Sequence, residues 1–350
     1  MTIYIMFLIL CLMVAWAYDR AIPYGKEKKW GILFFLLIFL FMGLRYGVGQ
    51  DYFFSYVPIW EEVKETGWAV NVESGYILIN KFLQLFTDDY AIIFILFALV
   101  FTIFIYKTVK QYKLSYLLVA FIFIAGGFYF YSWNVMRQCM VTAIFYFTLK
   151  YVRQRRIVPF LIINILAAFI HKTAIIYLPF YFILNHNFKF KTYLILILVC
   201  FALRIVIIPI LEVVLKNTKY ENYINGTFGD PSSQKPTVSQ LLNAGLFFVF
   251  CFYSPYGYKD KKFIVFKNIH FVGFLATIFM GVVPLVFRIT TMFYLVQFIS
   301  VPYLVKRYVS KDWKSVVVLG IFLVYGAIFI NTLRNNGNNI IPYQFIWQRG

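Results

Sequence analysis

Leu44-Arg45-Tyr46-Gly47-Val48-Gly49-Gln50-Asp51-Tyr52-Phe53-Phe54-Ser55-Tyr56 is the first break in a strongly apolar chain that is neither a plain charge cluster nor a plain turn. It sets an arginine, two glycines, an acid and three tyrosines directly after the apolar run 30–44. A glycine-bearing backbone beside a cation and an acid suits a place where a polar ligand meets a membrane surface. The same residues also read as a solvated loop closing a helix, with Gly47 as its C-cap.

Outward from this break, 62% of the 350 residues are hydrophobic and 13% are charged. Soluble domains carry roughly 25% charged residues, so this composition belongs to a polytopic, all-helical membrane protein. The aromatic share of 22% provides tyrosine and tryptophan anchors for both interfaces. A net charge of +19 would suit nucleic acid only if the bases gathered on a soluble face. Here they sit in short loops between apolar runs, so membrane topology accounts for them and no nucleic-acid partner is expected. Cys11, Cys139, Cys200 and Cys251 lie far apart in apolar runs without a C-x-x-C, implying neither a disulfide framework nor a metal site. Residues 1–18 resemble a signal peptide ending in Ala15-Trp16-Ala17, but no basic region precedes them, and Arg20, Lys26, Lys28 and Lys29 follow. That order predicts an uncleaved first helix with its N-terminus outside.

Hydropathy predicts about twelve membrane segments: 3–18, 30–44, 90–106, 114–131, 134–151, 157–170, 173–184, 193–215, 239–253, 269–287, 289–305 and 315–333. The loops 19–29, 107–113, 150–156, 185–191, 254–268 and 306–314 hold 21 of the 33 basic residues and four of the 14 acids, leaving 12 and ten elsewhere. These loops are expected in the cytoplasm, with both termini outside. Residues 157–184 are few for two spans of ~20 residues each, so two short or re-entrant helices meeting at His171-Lys172 beside a polar cavity are expected. No repeat or low-complexity run divides the chain, which predicts one transmembrane domain over 1–350 with outer loops at about 45–89 and 216–238. The first loop carries Asp51, Glu61, Glu62, Glu65, Glu73, Asp88 and Asp89 with Trp60, Trp68 and Tyr76. That mixture suits carbohydrate, and equally an ordinary surface.

With this topology the costly polar groups fall at outer helix ends: Arg45, Arg137 behind Asn134 as a candidate N-cap, His171-Lys172, and Arg288. A cation in the first turn of a helix is unfavourable unless an anion accompanies it. Arginines so placed suit bidentate binding of phosphate, and each taken singly also suits snorkelling to lipid headgroups. A neutral His171 beside Lys172 would serve as a general base. Asp51 could accept a sugar hydroxyl or pair with an arginine. Asn164 and Gln297 are expected to bond between helices. Arg204, deep in a span, reads as a cavity residue or a packing pair. The asparagine-rich tail 331–350 reads as a cavity closure or a frayed end.

Arg45, Gly47, Gly49, Asp51, Tyr52 and Tyr56, followed in order by Asn134-Val135-Met136-Arg137-Gln138, His171-Lys172-Thr173-Ala174 and Arg288, resemble the EpsG/Wzy-like family of bacterial polysaccharide polymerases. The resemblance runs from about residue 44 to 288. It implies a GT-C-like membrane fold and a glycosyl polymerase on the outer face of the bacterial cytoplasmic membrane. Its substrates would be polyprenyl-diphosphate-linked glycan donor and acceptor, with a chain-length regulator as a further partner and no cofactor or metal. Arg45, Arg137, Arg288 and Lys172 would bind diphosphate, His171 or Asp51 would act as the base, and Tyr52, Tyr56, Asn134 and Gln138 would support the sugar. Two other classes compete: a lipid-linked oligosaccharide flippase or other transporter, and an O-acyltransferase using His171. A transporter would place polar residues near the midplane and show related halves, and neither feature is visible.

Overall fold

Long apolar runs fold as helices because helices satisfy their own backbone groups away from water. The computed structural model describes residues 1–215, 235–283 and 286–349. Among the described residues there are helices, turns and one isolated bridge, Arg45 with Phe345. The longer helices are α1 (Thr2–Ala21), α2 (Glu27–Gly43), α3 (Val57–Thr66), α4 (Ser74–Gln84), α5 (Ala91–Lys110), α6 (Tyr116–Ala125), α7 (Met136–Arg153) and α8 (Ile157–Ala168). They continue with α9 (Phe190–Leu215), α10 (Val238–Phe252), α11 (Lys261–Ile278), α12 (Val286–Tyr294), α13 (Gln297–Arg307) and α14 (Lys311–Arg334). Five stretches are long and apolar enough to cross a membrane: Thr2–Tyr24, Ala91–Lys110, Phe190–Val214, Val286–Arg307 and Lys311–Arg334. Shorter apolar helices accompany them. The chain is a helical membrane protein.

Several breaks differ from the segments predicted above. The run 114–131 is not one helix: α6 ends at Ala125, and Gly127 takes φ +79, which a residue with a side chain resists. The run 289–305 is interrupted between Tyr294 and Gln297. The basic stretch 254–268 is largely helical, because the Asp260 carboxylate accepts from the Lys262 and Phe263 amides (2.9 and 3.4 Å) and starts α11 early. The stretch 45–89 is not an open loop but holds α3 and α4, whose inner faces bury Trp60, Val63, Tyr76 and Ile77. Trp60 and Tyr76 are therefore closed to a sugar, while Trp68 stays exposed. Most of the second outer loop, from residue 216 to 234, lies outside the described residues.

The chain divides into two compact units, Met1–Tyr181 with Phe298–Gly350, and Phe182–Gln297. In the first, the basic loops gather at one pole. Asp19 accepts from Ser115 Oγ and the Tyr116 and Leu117 amides (2.6, 2.8 and 3.1 Å). Arg153 donates to Tyr112 Oη and Gln111 Oε1, and Lys306 Nζ donates to the Lys113 carbonyl. At the opposite ends of α1, α2 and α7 the tail is fastened down rather than frayed. Tyr4 Oη donates to the Ile340 carbonyl, Tyr46 N to Gln344 O (2.8 Å), Gly49 N to Asn339 O (3.0 Å) and Ile346 N to Leu44 O (2.8 Å). Asn164 Nδ2 reaches Thr148 Oγ1 from α8 to α7, the expected interhelical bond.

The second unit packs α9, α10, α11 and α12 around buried polar pairs. His270 Nδ1 meets Asn243 Oδ1 at 2.6 Å, and Gln297 Nε2 donates to the Ser239 carbonyl. Arg204 donates to the Ile278 and Met280 carbonyls, so it closes the C-terminal end of α11, where orphan carbonyls and the helix dipole favour a cation. The packing role is the one it fills.

Candidate active site

The site is assembled by two chain breaks and one close approach. α8 ends at Ala168, and His171 adopts an extended backbone (φ −154, ψ 120) before a short 3₁₀ helix, Lys172–Tyr177. This is the interruption at His171-Lys172 that the short run 157–184 predicts. Glu73 is extended as well (φ −68, ψ 138) and immediately precedes α4. Gly75 lets the two breaks meet, since a Cβ there would stand 2.6 Å from the Phe169 carbonyl oxygen.

Glu73 is consequently a hub. Its Oε2 accepts from an Arg137 guanidinium nitrogen at 2.6 Å, and its Oε1 accepts from the Lys172 amide at 3.0 Å. Oε1 also faces His171 Nδ1 at 3.4 Å. The three side chains are only 13–19% exposed, which strengthens their mutual electrostatics relative to a surface pair. Burial alone would raise the Glu73 pKa, but the Lys172 amide and the charges of Arg137 and His171 outweigh it and hold the carboxyl below its ordinary value. The Thr173 amide stands 3.4 Å from His171 Nδ1, so that nitrogen either accepts from Thr173 or donates to Glu73. An anion on one side favours the second arrangement.

Arg137 lies in the first turn of α7, where a lone cation is disfavoured. Glu73 supplies the compensating anion from within the chain. The guanidinium also rests 4.8 Å from the ring centroid of Tyr76, a buried phenol that burial pushes up to about 12 against the opposing pull of Arg137. A neutral ring face suits cation–π contact. A guanidinium offers five donors, and Glu73 is its one side-chain acceptor among the described residues.

The frame below is rigid. Tyr56 Oη donates to the Asn134 carbonyl (2.7 Å) and accepts from the Met136 amide (2.6 Å), fixing the start of α7. Asn134 is not the N-cap, a position taken by Val135; its side-chain amide instead donates to the Asn338 carbonyl of the tail (2.9 Å). Gly49, at φ +100, passes so close that a Cβ would lie 2.7 Å from Asn134 Oδ1. Tyr52 is buried and stacked on Phe94 (3.9 Å, 2°), and Gln138 is buried in α7. Asp51, half-buried, begins the turn Tyr52–Tyr56.

Arg45 differs most from expectation. It is completely buried, and its guanidinium donates to the carbonyls of Met42, Val48 and Trp133. The rings of Phe94 and Trp133 flank it at 5.2 and 5.5 Å. Placed at the C-terminal end of α2, it is held by helix carbonyls and aromatic faces and presents nothing to a diphosphate. Lys172 contributes its backbone amide to Glu73 and carries an exposed side chain. Arg288 belongs to the second unit, exposed in the first turn of α12 near the Phe287 ring.

Sequence reasoning missed Glu73 and Tyr76 as site residues. The available signal was an acid directly before Ser74-Gly75, opening the helical run Tyr76, Ile77, Asn80, Leu83 that buries one face. No curated protein and no solved structure matches the chain significantly. The model of the EpsG family matches residues 28–345, a stretch that contains every residue of this cluster, and the chain therefore belongs to the EpsG family.

Proposed function

We propose that the chain is a polysaccharide polymerase that joins lipid-diphosphate-linked oligosaccharide units at the outer face of the bacterial cytoplasmic membrane. The Glu73–Arg137–His171 cluster carries this reading. It sits at the pole of its unit opposite the basic loops, and a polymerase needs both of its working parts, an oriented imidazole and a cation with donors to spare. An acceptor sugar hydroxyl attacks the anomeric carbon of the donor glycan. The new bond joins acceptor oxygen to that carbon, and the bond from the carbon to the lipid diphosphate breaks. His171, steadied through Nδ1 by Glu73, takes the hydroxyl proton on Nε2, a step that typically contributes 10²–10⁴-fold. Arg137 stabilises the charge gathering on the departing diphosphate. Lys172 is a further cation for the diphosphate, and Arg45 supports the corner beneath. Asp51 is the competing base. This chemistry requires no divalent ion, so elongation is expected to persist in chelator.

The test is the size of lipid-linked glycan in a deletion strain complemented with His171→Ala, Asp51→Asn or Arg137→Ala. Accumulated single repeat units with His171→Ala and Arg137→Ala, at normal membrane levels of protein, are expected. Full-length polymer in both would refute the reading, and single units with Asp51→Asn but not His171→Ala would transfer the base to Asp51. Loss of all outward-facing lipid-linked glycan would indicate a flippase instead.

A further inference from the structure

Lys267 is a buried cation that the proposed chemistry does not use. It lies on α11 with 2% of its surface exposed, among the deepest charged side chains described. Its Nζ donates to Ser254 Oγ (2.9 Å) and Asn187 Oδ1 (3.3 Å), both neutral, and stands 5.2 Å from the Tyr193 ring centroid. Among the described residues no carboxylate pairs with it. The nearest acid in sequence, Asp260, is engaged by the Lys262 and Phe263 amides. An ammonium removed from water and left with neutral acceptors is costly unless an anion completes the site.

The ammonium lines a cavity of about 590 Å³ contained within the second unit. Its remaining walls are largely aromatic, with Phe248 and Phe252 among them, and Phe252 and Tyr258 reach its exposed edge. One polar corner with a single cation, inside a greasy cavity open at its edge, fits an amphiphile carrying one anionic head on an apolar chain. The stretches bordering it, 185–191 and 254–268, are two of the basic loops that the charge pattern assigns to the cytoplasmic face. Lysines 259, 261 and 262 on the second of them add to the attraction for anionic lipid.

We infer that this cavity binds an anionic membrane phospholipid, with the headgroup phosphate on Lys267 Nζ, Ser254 Oγ and Asn187, and an acyl chain along Phe248 and Phe252. The site is independent of the polymerase reading. It is tested by native mass spectrometry of the detergent-purified full chain, offered equal amounts of phosphatidylglycerol and of diacylglycerol, which lacks the phosphate, with identical acyl chains. One phosphatidylglycerol should be retained about tenfold or more over diacylglycerol, as a charge-assisted contact supplies. Lys267→Met should abolish the preference. Ser254→Asp should abolish it too, because it gives Lys267 an internal counter-ion and leaves no charge unpaired if the first variant misfolds. Equal retention of the two lipids by the unaltered chain, or an undiminished preference in Ser254→Asp, would overturn the inference. Inorganic phosphate binding to the same lysine as tightly as the lipid would also overturn it, since the acyl chain would then contribute nothing.

Discussion

At the residue scale the proposed chemistry turns on Glu73, whose carboxylate meets both Arg137 and His171. Glu73→Gln keeps the shape but removes the charge that pairs with Arg137 and steadies the His171 ring. Elongation should fall by roughly 10²–10³-fold, as when one preorganised electrostatic partner is removed, while Glu73→Asp should retain more activity. Sized products from purified protein check this, and wild-type rates in Glu73→Gln would remove Glu73 from the mechanism. The same carboxyl predicts a pH response. Its pKa is depressed in the folded chain, so its stabilisation is fully present above the unfolded value of about 4.3 and is lost as pH falls through the lower folded value. Acid unfolding of the wild type should show this component below about pH 4, and Glu73→Gln should lack it. Arg137 and His171 were legible because polar residues between apolar runs stand out. Glu73 was not, since it looked like one loop acid among seven until residues 64 and 99 positions away came into contact with it.

At the scale of elements, the site depends on α4 meeting the broken end of α8. Gly75→Ala would press a Cβ against the Phe169 carbonyl at 2.6 Å, against backbone that cannot swing aside as a side chain could. A destabilisation of about 1–3 kcal/mol, read as a lowered melting temperature, is expected together with weakened elongation. Arg45 separates support from chemistry. Arg45→Ala strips a donor from three carbonyls, those of Met42 in α2, Val48 just beyond it and Trp133 ahead of α7, and should lower membrane levels of the protein itself. Arg137→Ala should leave those levels normal while stopping elongation. Normal levels with lost elongation in Arg45→Ala would return Arg45 to the diphosphate site. The breaks at Gly126-Gly127 and Asp260 were written in local chemistry that a hydropathy window averages away. The break at His171 was legible because residue count alone excluded two full spans.

Across the whole molecule, composition was enough to identify a helical membrane protein, because 13% charge leaves little else to build. Charge placement predicted that the loops 19–29, 107–113, 150–156 and 306–314 share a side, and their polar contacts meet at one pole of the first unit. Which helices bring distant cations together was not legible, since it depends on packing between segments far apart in the chain. Cysteines introduced at Lys110 and Lys259 should be labelled only from the cytoplasm, and one introduced at Trp68 only from outside. The most direct measurement is chain elongation by the purified protein in liposomes, supplied with lipid-diphosphate-linked repeat units and sized on a gel. Wild-type protein should build polymer, while Arg137→Ala and His171→Ala, folded and inserted, should each slow it by at least about 100-fold. Polymer formed at wild-type rates by both variants would contradict the assignment of the Glu73–Arg137–His171 cluster as the catalytic centre.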